Sequence, residues 1–172
     1  QATRRVRPGR TESLSRAIRT MNPSERLVEL KLSLPDVATP VGAYVPATIV
    51  GKIAYTSGQI PIESGAVRYQ GKVGDEVSLE DAQGAAQLCA LNALAAIASV
   101  AGGVDNITRI VRLCVFVAST PQFTDQPKVA NAASELCTDV FGEAGKHVRS
   151  AVGVSSLPLD VPVELEMVAE LA

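Results

Sequence analysis

The sequence predicts an α+β domain, a mixed β-sheet with two helices packed on one face, in the order β-β-α-β-α-β-β. Three observations carry that expectation. Two stretches with helical spacing alternate with strand-like runs, the arrangement that lays helices on a sheet. Each end of the chain carries two strand-like segments joined by a short turn, so hairpins are expected at both ends. Aromatic residues are scarce, with three Tyr, three Phe and no Trp, so Ala, Val, Leu and Ile must fill the core and helix can approach sheet closely.

Residues 1–20 stand apart. They hold six arginines and one glutamate, a net +5, so the rest of the 172-residue chain carries −7 of the total −2. With no apolar periodicity they read as an arginine-rich arm or leader outside a single domain at 21–172. An Arg- and Ser-rich, acid-poor stretch also fits an organelle transit peptide; otherwise a cytoplasmic place is expected. The acidic body argues against nucleic acid, which needs a basic face to neutralise phosphates.

Asn22-Pro23-Ser24-Glu25 opens a short helix, with Asn22 as cap, Pro23 in the first turn and Glu25 where a capping-box acid belongs. Residues 47–50 and 53–57 form two strands about Gly51-Lys52, a two-residue hairpin turn. Residues 60–75 are rich in Gly and Pro and read as loop. Ser78 caps the main helix, acids fill its first turn, and Gly102-Gly103 stops it. Residues 107–118 alternate as a strand, 122–141 form the second helix, 149–156 a strand, 157–160 a turn, and 162–171 the last strand. The apolar run at 88–100 is shorter than the ~20 residues that span a bilayer, and reads as a buried helix; no membrane partner is expected.

A sheet covered on one face has another to hide. Val163, Leu165 and Met167 alternate with Glu164, Glu166 and Val168, and one set can face the helices. The open face is then expected to carry Glu164, Glu166, Arg149 and small residues. Such a half-polar surface suits a subunit interface, with ligand clefts between copies.

Arg149 heads a strand of small residues, Arg149-Ser150-Ala151-Val152-Gly153-Val154. Alternation puts Arg149, Ala151, Gly153 and Ser155 on one face, almost bare beyond the guanidinium. Space beside a cation can hold a small carboxylate, since a guanidinium fork grips one by two bonds at once. The same gap can instead let another chain pack closely, with Arg149 paired to one of its acids. Cys89, Cys114 and Cys137 are odd in number and form no CxxC, which fits free, core thiols. With His147 the single histidine, no metal site is expected.

GAYVP at 42–46, TSGQIP at 56–61, the Asn131-Ala132 pair, RSAVGVSSLP at 149–158 and VELEMVAE at 163–170 together resemble the RidA (YjgF) family. The resemblance runs from Met21 to the end and points to a longer subgroup carrying VANAAS and FGEAGKHVRSAVG segments. It implies the fold of trimeric chorismate mutase, a homotrimer with intersubunit clefts, and no cofactor. The activity it implies is hydrolysis of 2-imino or 2-enamino acids, such as 2-aminoacrylate or 2-iminopropanoate, to 2-oxo acids and ammonia. The family's carboxylate-binding arginine falls on Arg149, and its acidic partner on Glu164 across the final hairpin. The pocket tyrosine matches Tyr44, the pocket serine Ser57 with Gly58 beside it, and the helix asparagine Asn131. A cysteine common in the family two residues past the arginine is here Ala151, which keeps only the backbone groups.

In that scheme Arg149 takes the substrate carboxylate and Glu164 handles water or the leaving ammonia. Ser57 and the Gly58 amide hydrogen-bond substrate or water, and Tyr44 closes the cleft. Each residue has a plainer reading. Glu164 can be a salt-bridge partner of Arg149, Tyr44 a packing residue, Ser57 a turn residue and Asn131 an intersubunit hydrogen-bonding group. His147 reads as a surface loop residue or one at the cleft edge. A non-enzymatic carboxylate-binding or regulatory trimer is the alternative function, and RNA cleavage a less favoured third.

Overall fold

A computed structural model describes residues 21–172, so the reading of 1–20 lies outside the described residues. In chain order they form α1 (Pro23–Glu29), β1 (Ala47–Val50), β2 (Ile53–Thr56), β3 (Ile62–Glu63), β4 (Ala66–Val67), α2 (Leu79–Ala101), β5 (Ile107–Ala118), α3 (Gln126–Phe141), β6 (Val148–Val154) and β7 (Val163–Leu171). The α+β expectation holds, with helices on one face of a mixed sheet.

Local signals settle most element ends. The Asn22 side chain accepts from the Glu25 amide while the Glu25 carboxylate accepts from the Asn22 amide, so the capping box forms at both halves. Ser78 accepts from the Asp81 amide and starts α2, and Gly102 ends it in the left-handed conformation that glycine adopts without cost. The Gly51-Lys52 turn joins β1 to β2, with Val50 opposite Ile53. Inside the predicted loop at 60–75, β3 and β4 add a two-stranded ribbon that the Gly- and Pro-rich composition concealed.

α2 is long and apolar enough to cross a membrane by length and composition alone. In this fold it is the core helix. Residues 89–97 are buried without a break, packed on β7 and α3.

The five-stranded sheet runs β1-β2-β7-β5-β6. The hairpin expected at the C-terminal end does not form. β6 pairs parallel with β5, and β7 lies between β2 and β5, antiparallel to both. The cause is the helix before β6. A strand that follows a strand and a crossover helix returns parallel beside the first, and that claims the outer edge of β5 for β6.

This register decides the faces. Leu113 pairs with both Arg149 and Met167, and Val115 with both Ala151 and Leu165. Leu113, Val115, Leu165 and Met167 are fully buried against the helices. Phe116 pairs with both Val152 and Glu164, so those three lie on the open face. Arg149 and Glu164 therefore occupy opposite faces of the sheet, which corrects the expectation that they share one. The open face is also more apolar than expected. Val50, Tyr55, Val148 and Val152 on it are 43–67% exposed, with Phe116 and Cys114 half-buried among them.

Candidate functional site

The predicted site residues assemble into two clusters, not one. The first is built on Arg149, near the start of edge strand β6. Its Nη1 donates to Asn131 Oδ1 and to Ser134 Oγ, each at 3.0 Å, and its Nη2 donates to the Pro127 carbonyl at 3.3 Å. Pro127, Asn131 and Ser134 follow at steps of four and three, so one stripe of α3 grips the guanidinium. A guanidinium has five N–H donors, and these bonds use both on Nη1 and one on Nη2. Among the described residues, one on Nε and one on Nη2 remain, donors that a carboxylate can take. Arg149 is neither turned into bulk solvent nor locked against Glu164.

Ala151 follows on the same face, half-buried and packed against the core. Beyond it the face is not bare. A Cβ on Gly153 would lie 2.8 Å from Gln126 Nε2 and 3.1 Å from Ser119 Oγ, so Gln126 fills the space the missing side chain leaves. Ser155 lies past the end of the strand.

The second cluster surrounds Glu164, near the start of β7. It lies two strands over from Arg149, about 10 Å, and several residues along. Its carboxyl packs on Gly58 so closely that a Cβ there would stand 1.8 Å from Oε1. Ladder geometry creates this approach. From Tyr55 opposite Val168 to Gln59 opposite Leu165, one strand takes four steps and the other three. The extra residue makes a bulge, a device that re-aims backbone beside sites. The Thr56 hydroxyl accepts the Met167 amide at 2.9 Å within it. Ser57 donates its hydroxyl to the Val45 carbonyl at 2.6 Å and its amide to Pro46. Ser57 therefore ties the bulge to the segment bearing Tyr44, a positioning part rather than a group aimed at a ligand.

Tyr44, Gly58 and Glu164 line one cavity of about 470 Å³, with Val41, Ile60, Ile62 and Leu159 among its apolar walls. Burial, then the neighbouring Glu166 carboxylate, holds the Glu164 carboxyl above its ordinary range. A carboxyl so placed exchanges a proton nearer neutrality than a solvated one does. Tyr44 stands mostly exposed at the cavity rim.

Cys89 and Cys137 are free and buried, and burial pushes the Cys137 thiol up to about 12, which leaves it inert as a nucleophile. Cys114 differs, lying half-buried on the open face. His147 lies between its two expected readings, held by hydrogen bonds beside Ser134. It is half-buried, with Nε2 2.9 Å from Ser134 Oγ and Nδ1 2.7 Å from the Gly145 carbonyl. No group of three or more His, Cys, Asp or Glu that could hold a metal occurs among the described residues.

The family model described as "YjgF/chorismate mutase-like, putative endoribonuclease" matches residues 24–171. The chain belongs to the YjgF family. Among YjgF-like relatives, the Trypanosoma cruzi protein TCP17 is 39% identical over 84% of this chain and 91% of its own. The mitochondrial protein MMF1 of Saccharomyces cerevisiae is 31% identical over 91% of this chain and 88% of its own. The solved structure of Atu1372 from Agrobacterium tumefaciens, a protein of unknown function, is 44% identical with a TM-score of 0.80, covering 87% of this chain and 92% of that one. Escherichia coli TdcF, solved with bound serine, is 27% identical with a TM-score of 0.58, covering 81% of this chain and 94% of its own.

Within this YjgF-family chain, three residues of the site were missed in the sequence. Ser134 and the Pro127 carbonyl could have been found from their helical spacing with Asn131. Gln126 had no local signal, because only the fold brings it over Gly153. Together the clusters offer a cation prepared for a carboxylate and a half-buried acid beside an apolar hollow.

Proposed function

We propose that the protein is a hydrolytic deaminase of 2-imino and 2-enamino acids, working as a homotrimer in which one copy's Arg149 cluster meets the next copy's Glu164 cluster. The observation that carries the reading is complementarity. Among the described residues, Arg149 has two donors left and no paired acid, while Glu164 has an apolar cavity and no paired cation. Two clusters on opposite faces of one sheet cannot close on one small molecule, but clusters from adjacent copies can. The unpartnered apolar face, with Val50, Tyr55, Phe116 and Val152, is the surface that brings copies together.

The chemistry then follows from the groups. Arg149 holds the substrate carboxylate through Nε–H and Nη2–H, which fixes C2. Glu164 as carboxylate takes a proton from a water while its oxygen bonds to C2 and the C=N electron pair moves to nitrogen. The tetrahedral adduct receives that proton from Glu164 on nitrogen, the C–N bond breaks, and ammonia leaves. Loss of the hydroxyl proton gives the 2-oxo acid. The iminium carbon is already electrophilic, so no cofactor enters. The hollow formed by Val41, Ile60, Ile62 and Leu159 receives the substrate side chain. The serine bound in TdcF supports a site for small amino-acid-like carboxylates in such proteins. The mitochondrial relative supports an organelle address for the arginine-rich residues 1–20.

The deciding assay couples a dehydratase, which makes 2-aminoacrylate in situ, to pyruvate release. The protein is expected to speed release, and Arg149→Ala to abolish the effect while the assembly persists. Tight calorimetric binding of 2-oxo acids without acceleration would instead make the protein a carboxylate-binding regulator. Cleavage of RNA with neither would return the word in the family's description.

A further inference from the structure

We propose that Ser134 and His147 are positioning residues that aim Arg149, forming a hydroxyl–imidazole relay that sets how tightly the carboxylate is gripped; this rests on the reading of Arg149 given above. The Gly145 carbonyl can only accept, so Nδ1 of His147, 2.7 Å from its oxygen, carries the hydrogen. In the neutral ring Nε2 then has a lone pair, and it takes the Ser134 hydroxyl hydrogen across 2.9 Å. That orients the remaining lone pairs of Ser134 Oγ toward Arg149, whose Nη1 donates to it at 3.0 Å.

Without the imidazole, a helical serine can turn its hydroxyl onto the carbonyl one turn earlier, and its lone pairs then swing off the line to Arg149 Nη1. The relay is anchored where it starts. A Cβ on Gly145 would lie 2.1 Å from the Cys137 carbonyl oxygen, so this glycine backbone sits directly on α3. α3 holds Arg149 directly through Asn131, Ser134 and the Pro127 carbonyl. Gly145 and His147 act behind Ser134 and fix which way its hydroxyl points. With Ser134 so held, both Nη1 hydrogens are spent and Nε–H and one Nη2–H are left for a ligand. Releasing Nη1 lets the guanidinium rotate and offers the ligand a mixture of poses.

The test uses 2-oxobutanoate as a probe of carboxylate binding, alongside steady-state deamination. Ser134→Ala and His147→Phe are expected to raise Kd and KM about tenfold, the size of one lost charge-assisted hydrogen bond, with kcat within about twofold. Ser134→Thr keeps a hydroxyl and is expected to restore binding. Because His147 is the single histidine, nitrogen NMR reads its tautomer without assignment, and a bare Nε2 whose shift moves in Ser134→Ala is expected. Parent-like binding by Ser134→Ala, or a protonated Nε2 in the neutral ring, would overturn the relay. If the parent binds, Arg149→Ala does not and Ser134→Ala is unchanged, this inference falls alone. If the parent neither binds nor deaminates, it falls together with the functional reading.

Discussion

The two clusters solve opposite problems. The Arg149 cluster must stop a long, flexible cation from wandering, and spends three hydrogen bonds to α3 on doing so. The Glu164 cluster must keep a short acid partly out of water, and uses shape: a glycine against its carboxyl, a bulge that brings that glycine in, and an apolar hollow beside it. Charged groups can thus be prepared by bonding or by desolvation. A site needing one of each is more readily divided between two surfaces than crowded onto one, because an arginine held beside the acid would pair with it and undo its desolvation.

The largest effect follows from that division. Arg149→Ala and Glu164→Gln are each expected to lose activity by a factor of about 10² or more. Mixed by joint refolding, the two inactive proteins should regain about a quarter of parental activity, since one cleft in four then draws its arginine from one variant and its acid from the other. Silence in the mixture, with mixed assemblies demonstrated, would mean that one chain supplies both groups. Val152→Asp, placing a charge on the open face, should yield monomers and remove activity with both clusters intact.

The next effect concerns Glu164 alone and is read against pH. Burial and Glu166 raise its carboxyl in the fold, so the native state holds that proton more tightly than the unfolded chain. Stability then falls as pH rises from the ordinary carboxylate range through the raised value, and stays lower above it. Glu164→Gln should flatten that decline in a series of denaturation midpoints. In the parent, activity should rise with pH along a limb above the ordinary carboxylate range, because Glu164 must be ionised to take a proton. The residual activity of Glu164→Gln should lack the limb; an identical limb in both would assign it elsewhere.

The contrast also explains what was legible beforehand. The Asn22 and Ser78 caps, the Gly51-Lys52 turn and the Gly102 stop are local, and they read directly from neighbouring residues. Arg149, Glu164, Tyr44, Gly58 and Asn131 were legible as types from motif likeness. Their grouping was not. Alternation tells which residues of one strand share a face, yet the relation between two strands depends on pairing. Placing β7 between β2 and β5 is a non-local choice that reversed the expected relation of Arg149 to Glu164. The link between Ser134 and His147 stayed hidden for the same reason. They are thirteen residues apart, joined by a hydrogen bond that needs α3 and its following turn already in place.

The smallest effects make the sharpest comparison, because one chemical change can be made in both clusters. Gly58→Ala and Gly153→Ala each add a single methyl at a glycine with an ordinary negative or extended φ. At Gly58 the methyl lands 1.8 Å from Glu164 Oε1 and 2.8 Å from its carboxyl carbon. The end of that side chain can swing, so the fold should survive, but the swing moves the proposed acid–base group. A misplacement of about 1 Å costs on the order of 10²-fold, and it should appear in kcat. At Gly153 the methyl meets Gln126 Nε2 at 2.8 Å. Gln126 is bonded to the Phe123 carbonyl and Ser119, not to Arg149, so yielding there leaves the guanidinium in place. Gly153→Ala should therefore change KM and kcat by less than about threefold, within the ~1 kcal/mol that small strand substitutions span. If Gly153→Ala proved the more damaging, Gln126 would touch the ligand, and the Arg149 cluster would extend further along β6 than its hydrogen bonds indicate.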